Sequence, residues 1–445
     1  MLNIHLVRVG GDCNMINISR IKINGFKNIK SINISLNKIT SLLSINSFGK
    51  SNLLSAIDFG FDFISQSEET RKDMMRWKKG IPLNKNIESK KYEFEFEFST
   101  SIEEELYEVI YGYAFDWTKK DKSNGKIINE YLNVKKVNET QKFSNYIKRI
   151  EEEAYYKSSV TGSCDKQIKI SDTELIINKL KAYDSLFYIN IIDTINNVNI
   201  YIDRHFDSRK NYDIFPFVWK DKNKSLLNEE DSIANILYNI KENNINKYER
   251  LINTFKDLFP FIEDIEVKAV TLGPDKVKLA KELDGTEPFE ITDKIYYLYA
   301  KDKNLSQAIP FELMSDGAKR VLVILTYLIL ADIKNYSLIA IEEPENSVHP
   351  RLLQQYLIAL DSLLENAKLI ITSHSPHLIN YINLKNIYIG IPNNKGLANF
   401  SKIKGSATNK VIRESADLNV LTGDYLFDLM CGTKEDIECL SSYVE

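Results

Sequence analysis

Hydrophobic and polar residues alternate in several short stretches of the N-terminal part of the chain. In K-Y-E-F-E-F-E-F, residues 91–98, apolar side chains occupy every second position and acidic ones lie between them. A period of two places the apolar residues on one face of a β-strand. The same alternation between Met15 and Leu36 predicts a β-hairpin that turns at Asn24-Gly25. Strands are therefore expected in the first part of the chain.

Other stretches have the longer apolar runs and the spacing of buried strands and helices. A short apolar strand is predicted at 38–44 and a helix at 51–64. In the C-terminal half, a helix at 321–332, a strand at 338–343, a helix at 351–366 and a strand at 368–373 follow one another. Alternating strands and helices predict an α/β fold, with a mixed and parallel sheet flanked by helices.

The middle of the chain has a less regular pattern. The predicted elements there are strands at 106–115 and 127–137, a charged helical stretch from Tyr146 to Tyr156, two helices within 231–259, and strands at 262–270, 275–279 and 294–300. We divide the chain into an N-terminal half of one domain (1–100), an insert of α+β or helical character (101–225), a C-terminal half (226–390) and a tail (391–445). The tail is expected either to pack on the domain or to dock a partner.

Composition narrows the class of protein. The formal net charge of −4 gives no global attraction to nucleic acid. The longest apolar run, 321–331, is far short of the roughly 20 residues that cross a bilayer, and no secretory signal begins the sequence, so no membrane partner is expected. The four cysteines lack metal-ligand spacing and a disulfide pattern, which predicts a cytoplasmic location.

One strand-to-helix junction has the chemistry of a phosphate-binding loop. The stretch S-I-N-S-F-G-K-S-N, residues 44–52, lies between the predicted strand and helix. Gly49 would let the backbone approach an anion, Lys50 would neutralise phosphate oxygens, and the Ser51 hydroxyl would hold Mg²⁺. Ser44 stands where G-x-x-x-x-G-K-S has its first glycine, and its Cβ forbids a left-handed backbone. The alternative is an ordinary turn with an exposed lysine.

Three further stretches carry candidate chemistry. Glu342 and Glu343 end an apolar strand, where one carboxylate could hold Mg²⁺ and its neighbour could orient an attacking water. His374 ends another apolar strand and could reach a γ-phosphate. Ser315-Asp316-Gly317 opens a helix as an N-cap, and its hydroxyl and N–H groups also suit an anion. His349, inside the carboxylate motif, is left undecided.

These four motifs, in this order, resemble the ABC-type ATPase heads of the SMC, RecF and OLD (overcoming lysogenization defect) branch, often labelled AAA family ATPases. The matching stretches are N-S-F-G-K-S-N-L-L as Walker A, M-S-D-G-A-K-R as the signature motif, L-I-A-I-E-E-P-E-N-S-V-H-P as Walker B, and I-I-T-S-H-S-P as the switch-histidine region. The resemblance implies an ABC-type P-loop ATPase head that binds ATP and Mg²⁺.

The resemblance also implies roles for residues. Glu343 would be the catalytic base and His374 the γ-phosphate sensor, while Ser51 and Glu342 would hold Mg²⁺. Glu342 replaces the usual aspartate, so a slow ATPase is expected. The implied nucleotide-binding residues are Ser44, Asn46, Ser47, Phe48, Gly49, Lys50, Ser51 and Asn52 for the protein's own ATP, and Ser315, Asp316 and Gly317 for the ATP of a second subunit. Two heads would form a homodimer, or part of a higher homo-oligomer.

OLD proteins carry a TOPRIM nuclease after the ATPase, and the segment after residue 385 has no acidic cluster of that type. We therefore expect the sensor or regulatory subunit of a bacterial anti-phage defence system that controls a separate effector protein, a nuclease or toxin. One alternative is a DNA repair or recombination ATPase that clamps DNA, suggested by the basic clusters at 119–122 and 135–136. Another is a module that uses ATP only to hold its dimer, without hydrolysis.

Overall fold

The computed structural model describes most of the chain, and two compact units can be distinguished in it. The described residues are 16–76, 80–88, 90–118, 125–137, 142–160, 162–183, 186–203, 212, 217–219, 232–272, 289–291, 294–393 and 395–445. The first unit consists of Met1–Ile202, Asn335–Ile341 and Asn366–Glu445, and the second of Asp203–Lys334 and Glu342–Glu365.

An antiparallel sheet of eight strands, in the order β2-β1-β4-β5-β6-β7-β8-β9, forms one part of the first unit. Its strands are β1 (Asn17–Phe26), β2 (Ile29–Ser35), β4 (Lys91–Ile102), β5 (Glu105–Asp116), β6 (Ile127–Lys136), β7 (Ser144–Ile150), β8 (Glu153–Lys157) and β9 (Cys164–Gln167). The predicted strands at 91–98, 106–115 and 127–137 are confirmed as β4, β5 and β6. The predicted domain boundary at residue 100 falls inside β4, and β5 to β9 continue the same sheet.

Helix α1 (Lys50–Ser65) packs on this sheet, and α2 (Glu68–Met74) follows it. The alternation in β4 sends its aromatic rings into the core, and the Tyr92 hydroxyl donates to the backbone oxygen of Ala56 in α1 at 3.0 Å. The Tyr113 hydroxyl donates to the backbone oxygen of Gly60 at 2.8 Å. The first strands and the helix after the phosphate loop are therefore fixed to each other by hydrogen bonds as well as by apolar contacts.

A second sheet of the first unit has six strands in the order β10-β16-β17-β3-β18-β19, and β3 is parallel to both β17 and β18. The strands are β3 (Ile39–Leu43), β10 (Ile200–Asp203), β16 (Leu338–Glu342), β17 (Lys368–Ser373), β18 (Ile387–Gly390) and β19 (Phe400–Lys402). The apolar runs in β3, β16 and β17 are almost fully buried, as expected for strands covered on both faces. The predicted parallel strands and flanking helices are confirmed.

Short helices complete the first unit. They are α3 (Ile176–Leu180) and α4 (Ile189–Asn196), and, near the C-terminus, helices at Pro376–Ile379, Thr408–Asp417, Thr422–Cys431 and Lys434–Tyr443. The last three lie in the tail.

The second unit is built from helices and two small sheets. Its helices are α5 (Ile233–Asn243), α6 (Ile245–Leu258), α7 (Asp316–Ile333) and α8 (Leu353–Leu363), and its strands are β11 (Phe217–Trp219), β12 (Ile262–Thr271), β13 (Phe289–Ile291), β14 (Lys294–Asp302) and β15 (Ile309–Pro310). Helices α5 and α6 pack on β12, and α7 packs against α5, α6 and α8. The predicted strand at 275–279 lies outside the described residues.

The helix predicted from Tyr146 to Tyr156 is wrong, because this stretch forms β7 and β8. The inward positions of β7 are Ile147 and Arg149, while Lys148 between them is exposed. Arg149 is 1% exposed and donates to the backbone oxygens of Glu174 at 2.8 Å and Ser171 at 3.1 Å. A buried arginine at an inward position conceals the period of two, so the sequence has the appearance of a charged helix.

The hairpin turn predicted at Asn24-Gly25 lies further along the chain. Strand β1 continues to Phe26, which pairs with Ile29, so Lys27 and Asn28 form the turn. Phe26 is fully buried, and its ring centroid lies 5.6 Å from that of Phe59. Gly25 has a φ of 73° and a Cβ there would overlap the backbone oxygen of Lys91. The glycine thus permits a close approach within the strand, and burial of Phe26 decides where the strand ends.

Candidate functional site

The loop between β3 and α1 surrounds the ammonium group of its own lysine. Lys50 Nζ donates to the backbone oxygens of Ser44 at 2.8 Å and Ile45 at 3.3 Å, and to Ser44 Oγ at 3.3 Å. Gly49, with a φ of 127°, immediately precedes α1, and Ser47 has a φ of 59°. The loop therefore places a cation beside the N-terminus of a 16-residue helix, an arrangement that attracts anions.

Ser44 fits this loop because a glycine lies opposite it. The serine is fully buried and does not have a left-handed backbone, so its Cβ causes no strain. A Cβ built on Gly390, at the end of β18, would lie 2.6 Å from the Ser44 Cβ and 2.6 Å from the nearest atom of the Phe48 ring. The side chain of Ser44 thus occupies space that is free because residue 390 on the neighbouring strand is a glycine.

Side chains of the hairpin turn after β1 form hydrogen bonds with the loop and with the start of α1. Asn28 Nδ2 donates to the backbone oxygen of Phe48 at 3.1 Å, and Asn52 Nδ2 donates to Asn28 Oδ1 at 2.9 Å. Lys27 Nζ in turn donates to Asn52 Oδ1 at 3.0 Å. These contacts involve side chains of the turn and the first turn of α1, whereas the side chains of Asn46, Ser47 and Ser51 are exposed.

The switch-histidine region lies beside the loop in the first unit. Ser373 is in register with Leu43 on the parallel strand β3, and the backbone N–H of Ser44 donates to the oxygen of Ser373 at 3.4 Å. His374 and Ser44 are therefore the residues that follow two neighbouring strands at one edge of the sheet. The His374 side chain is half-buried.

In the second unit, Ser315 caps helix α7. Its Oγ accepts a hydrogen bond from the Ala318 N–H at 3.3 Å, as the sequence predicted, while Ser315 and Asp316 remain exposed. A Cβ on Gly317 would overlap the backbone oxygen of Ser347. The close approach of the loop that follows Glu343 therefore requires a glycine at this position.

The backbone of the two candidate glutamates of the second unit, and the carboxylate of Glu343, accept hydrogen bonds from neighbouring side chains. Arg320 Nη2 donates to the backbone oxygens of Glu342 and Glu343, both at 2.8 Å. Asn346 Nδ2 donates to Glu343 Oε2 at 2.6 Å. Both glutamates are half-buried. His349 Nδ1 accepts from the Arg351 N–H at 3.2 Å and caps the 3-10 helix Pro350–Leu352, so its observed role is structural.

Comparison with known proteins agrees with this architecture. Residues 186–380 match the family described as "AAA domain, putative AbiEii toxin, Type IV TA system", and residues 16–72 match the family "Protein of unknown function (DUF2813)". No significant match is found among curated proteins. A crystal structure of an SMC head bound to the C-winged helix domain of ScpA is 14% identical, with a TM-score of 0.50, and the alignment covers 88% of this chain and 99% of that chain. The fold is that of an ABC-type ATPase head.

Two further solved structures are similar. The SMC head domain from Thermotoga maritima is 12% identical, with a TM-score of 0.42, covering 87% of this chain and 99% of that chain. An SMC head domain with an extended coiled coil, bound to the C-terminal domain of ScpA derived from Pyrococcus furiosus, is 13% identical, with a TM-score of 0.48, covering 90% and 100%. The predicted resemblance to ABC-type heads is confirmed for the fold, and the AAA domain family matches residues 186–380. No described helix is both long and apolar enough to span a bilayer.

The predicted metal ligands have side-chain oxygens of the kind that bind Mg²⁺. The predicted metal ligands are the exposed Ser51 hydroxyl and the half-buried Glu342 carboxylate, and Mg²⁺ prefers such oxygens together with phosphate oxygens and water. Within the described ranges, no group of three or more His, Cys, Asp or Glu side chains could hold a metal ion. The roles of the two residues stay predictions.

The predicted site residues thus form two sets in the structure. Ser44, the loop 46–52 and His374 meet in the first unit, and Ser315 to Gly317 lie beside the loop after Glu343 in the second. Sequence reasoning missed Asn28, Arg320, Asn346 and Gly390. Arg320 was inside the M-S-D-G-A-K-R motif and Asn346 inside Walker B, but only the fold shows which backbone and side-chain atoms they contact.

Proposed function

We propose that this protein binds ATP with Mg²⁺ and hydrolyses it slowly, as a homodimer that encloses two nucleotides between its heads. The observation that supports this most directly is the loop around Lys50, whose ammonium lies 2.8 Å from the backbone oxygen of Ser44 beside the N-terminus of α1. On binding, the lysine would exchange these backbone oxygens for phosphate oxygens. Such charge-assisted hydrogen bonds are about twice as strong as neutral ones.

In this proposal each chemical role belongs to a named side chain. The Walker A loop and Lys50 bind the phosphates, and Ser51 with Glu342 holds Mg²⁺. Glu343 accepts the proton of the attacking water, and His374 contacts the γ-phosphate. Ser315 and Gly317 contact the nucleotide of the second subunit, for which the exposure of Ser315 at the positive end of α7 is suited.

The first prediction concerns Lys50 and Glu343. We expect Lys50→Ala to weaken ATP binding about 10- to 100-fold, because the lost hydrogen bonds to a charged group contribute about 1.5–3 kcal/mol. Glu343→Gln should bind ATP like the wild type but release little phosphate. Binding is measured by calorimetry and hydrolysis by phosphate release, with Lys30→Ala, an exposed lysine of β2, as the matched control.

Three other results would change the proposal. If Lys50→Ala binds ATP as tightly as Lys30→Ala, the loop is not the nucleotide site. If the wild type binds ATP but releases no more phosphate than Glu343→Gln, the protein is a dimerisation module that does not hydrolyse ATP. If Glu343→Gln hydrolyses at the wild-type rate, the catalytic base lies elsewhere.

For the biological role, we infer a sensor or regulatory ATPase that controls a separate effector, a nuclease or toxin, in anti-phage defence. The support is the match over residues 186–380 to a family whose description includes a toxin of a toxin–antitoxin system. The test is co-purification with the product of a neighbouring gene, and phage challenge of cells that carry wild type, Lys50→Ala or Lys30→Ala. Protection by wild type and Lys30→Ala alone is expected, and equal survival of all three would overturn the role.

The structure weakens the support for a DNA clamp. Lys135 and Lys136 on β6, one of the two basic clusters, form ion pairs with Glu108 and Glu105 on β5. Their charges are therefore largely balanced by neighbouring carboxylates. The other cluster, at 119–122, has no described residues. ATP-dependent binding of duplex DNA that weakens steeply with salt would restore this alternative.

A further inference from the structure

Arg320, in the second turn of α7, reaches the backbone behind the candidate catalytic carboxylates. One guanidinium nitrogen, Nη2, donates to the carbonyl oxygens of two consecutive residues, Glu342 and Glu343, at 2.8 Å each. These are the last residue of β16 and the first residue beyond it. A planar guanidinium fixes such acceptors in a defined geometry, whereas a lysine ammonium acts as a point charge.

The charge of the guanidinium acts on another buried polar group. The hydroxyl of Tyr356 is fully buried, and burial raises the pKa of Tyr356, while the Arg320 charge lowers it and the charge of Glu345 raises it. Glu345 itself is 7% exposed. The head of Arg320 therefore lies inside the second unit, near the residues that follow Glu343.

Glu343 has a backbone conformation that needs support. Its φ of 49° is left-handed, a backbone conformation that is unfavourable for a non-glycine residue. Such a conformation persists only where the surroundings impose it. The Glu343 carbonyl accepts from Arg320 and also from the Asn346 N–H at 3.0 Å, and the Asn346 side chain holds the carboxylate. The backbone conformation of Glu343, which sets the direction of its side chain, is thus stabilised by hydrogen bonds from both Arg320 and Asn346.

A second contact joins the same helix to the same loop. Gly317, in the first turn of α7, approaches the backbone oxygen of Ser347 so closely that no side chain fits between them. Ser347 also has a left-handed backbone, with a φ of 65°. The first two turns of α7 and the loop from Glu342 to Ser347 are therefore joined at two places.

We propose that Arg320 is a positioning residue for Glu343. It makes the carboxylate move together with α7 of its own chain, the helix that begins within the signature motif and is called the signature helix below. This inference rests on the proposed function, in which Glu343 is the base and Ser315 binds the nucleotide of the other subunit. Contact between the signature helix and that nucleotide would then be transmitted through Arg320 to the hydrolytic site of the same chain. Arg320 itself touches no reacting atom.

The test separates positioning from stability. In Arg320→Ala we expect kcat to fall about 10- to 100-fold, as a displacement of about 1 Å at a reacting group does, with the Kd for ATP within about threefold of wild type. Arg320→Lys should give an intermediate kcat, because a lysine can restore part of the contact. The matched control is Arg250→Ala, since Arg250 on α6 also bonds a backbone oxygen, that of Ser362, and pairs with Glu365.

Two more variants make the result decisive. Asn346→Ala removes only the contact to the Glu343 carboxylate and should also lower kcat. If circular dichroism shows that Arg320→Ala does not fold, Arg320→Lys carries the test of Arg320, and a kcat equal to that of the wild type would overturn the positioning role. Combined with Glu343→Gln, Arg320→Ala should cause no further loss, because both changes act through one side chain.

Each opposite result has one meaning. If the wild type hydrolyses ATP and Arg320→Ala has an unchanged kcat, the positioning role is wrong and the proposed function stands. A loss of kcat in Arg250→Ala as large as that in Arg320→Ala, or an additive loss in the double variant, also overturns the positioning role. A wild type that binds ATP but does not hydrolyse it overturns both.

Discussion

At the scale of single residues, the loop between β3 and α1 shows how one exception to a motif is accommodated by another residue. Ser44 replaces the first glycine of the loop, and Gly390 on β18 leaves the space that its Cβ fills. The sequence shows that Ser44 departs from the motif, but it does not show that Gly390 accommodates the serine. The two residues are distant in the chain and meet only through the parallel pairing of β3 and β18.

This pairing predicts the outcome of exchanging the two residues. Gly390→Ala should lower the free energy of unfolding by about 1–3 kcal/mol, because its Cβ would overlap Ser44 and Phe48. Adding Ser44→Gly to that variant should recover part of the loss, since one of the two overlaps disappears. Urea unfolding measures both effects.

Gly405→Ala is the matched control for this prediction, because a Cβ there meets no atom within 4 Å. It should unfold at nearly the wild-type urea concentration. A loss in the double variant equal to the sum of the two single losses would show that Ser44 and Gly390 do not share the space.

At the scale of secondary-structure elements, buried charges attach the segment after β9 to the antiparallel sheet. Glu130 of β6 is fully buried and accepts from the N–H groups of Ile176 at 2.6 Å and Ile177 at 3.1 Å, and from the Tyr111 hydroxyl at 3.1 Å. Arg149 of β7 binds backbone oxygens of the same segment. A central strand of the sheet thus holds the beginning of α3 through a carboxylate.

Burial raises the pKa of Glu130 to about 7, against hydrogen bonds from Ile176 and Ile177 and the charge of Arg149, which lower it. Other groups near this carboxylate are Tyr111 and Arg71. Because the pKa is higher in the folded state, the stabilisation is complete below the unfolded value of 4.5 and is lost as the pH rises through about 7. We expect the unfolding free energy of the wild type to fall relative to Glu130→Gln between about pH 5 and about pH 8.

The exposed Glu152→Gln, on the turn between β7 and β8, controls for the loss of a carboxylate as such. A pH-dependent difference of the same size in this control would assign the effect to the loss of a negative charge and not to Glu130. A constant difference between wild type and Glu130→Gln would mean that Glu130 ionises as it does in the unfolded chain.

Elements were predicted from sequence where one face is uniformly apolar. The alternation from Tyr92 to Phe98 identified β4, and the apolar runs identified β3, β16 and β17. The prediction failed where a polar residue is buried, as at Arg149, and where burial of Phe26 extends a strand beyond its glycine. Motif spacing likewise identified the candidate site residues but not Arg320, whose partners are backbone oxygens 22 and 23 residues away.

At the scale of the whole molecule, the proposed homodimer makes a prediction about mixed subunits. Each site would combine Walker A, Walker B and Glu343 of one chain with Ser315 of the other. Lys50→Ala and Ser315→Arg should each abolish hydrolysis in a homodimer. An equal mixture should recover roughly a quarter of the wild-type rate per chain, because half of randomly formed dimers are mixed and each has one complete site of two.

The control mixture pairs Lys50→Ala with Glu343→Gln. Both residues act in the site of their own chain, so the mixed dimer has no complete site and should remain inactive. Phosphate release measured after refolding or prolonged incubation of the mixtures, with dimer formation followed by light scattering, distinguishes the arrangements. Recovery in both mixtures, or in neither while mixed dimers are present, would mean that Ser315 does not serve the site of the second subunit.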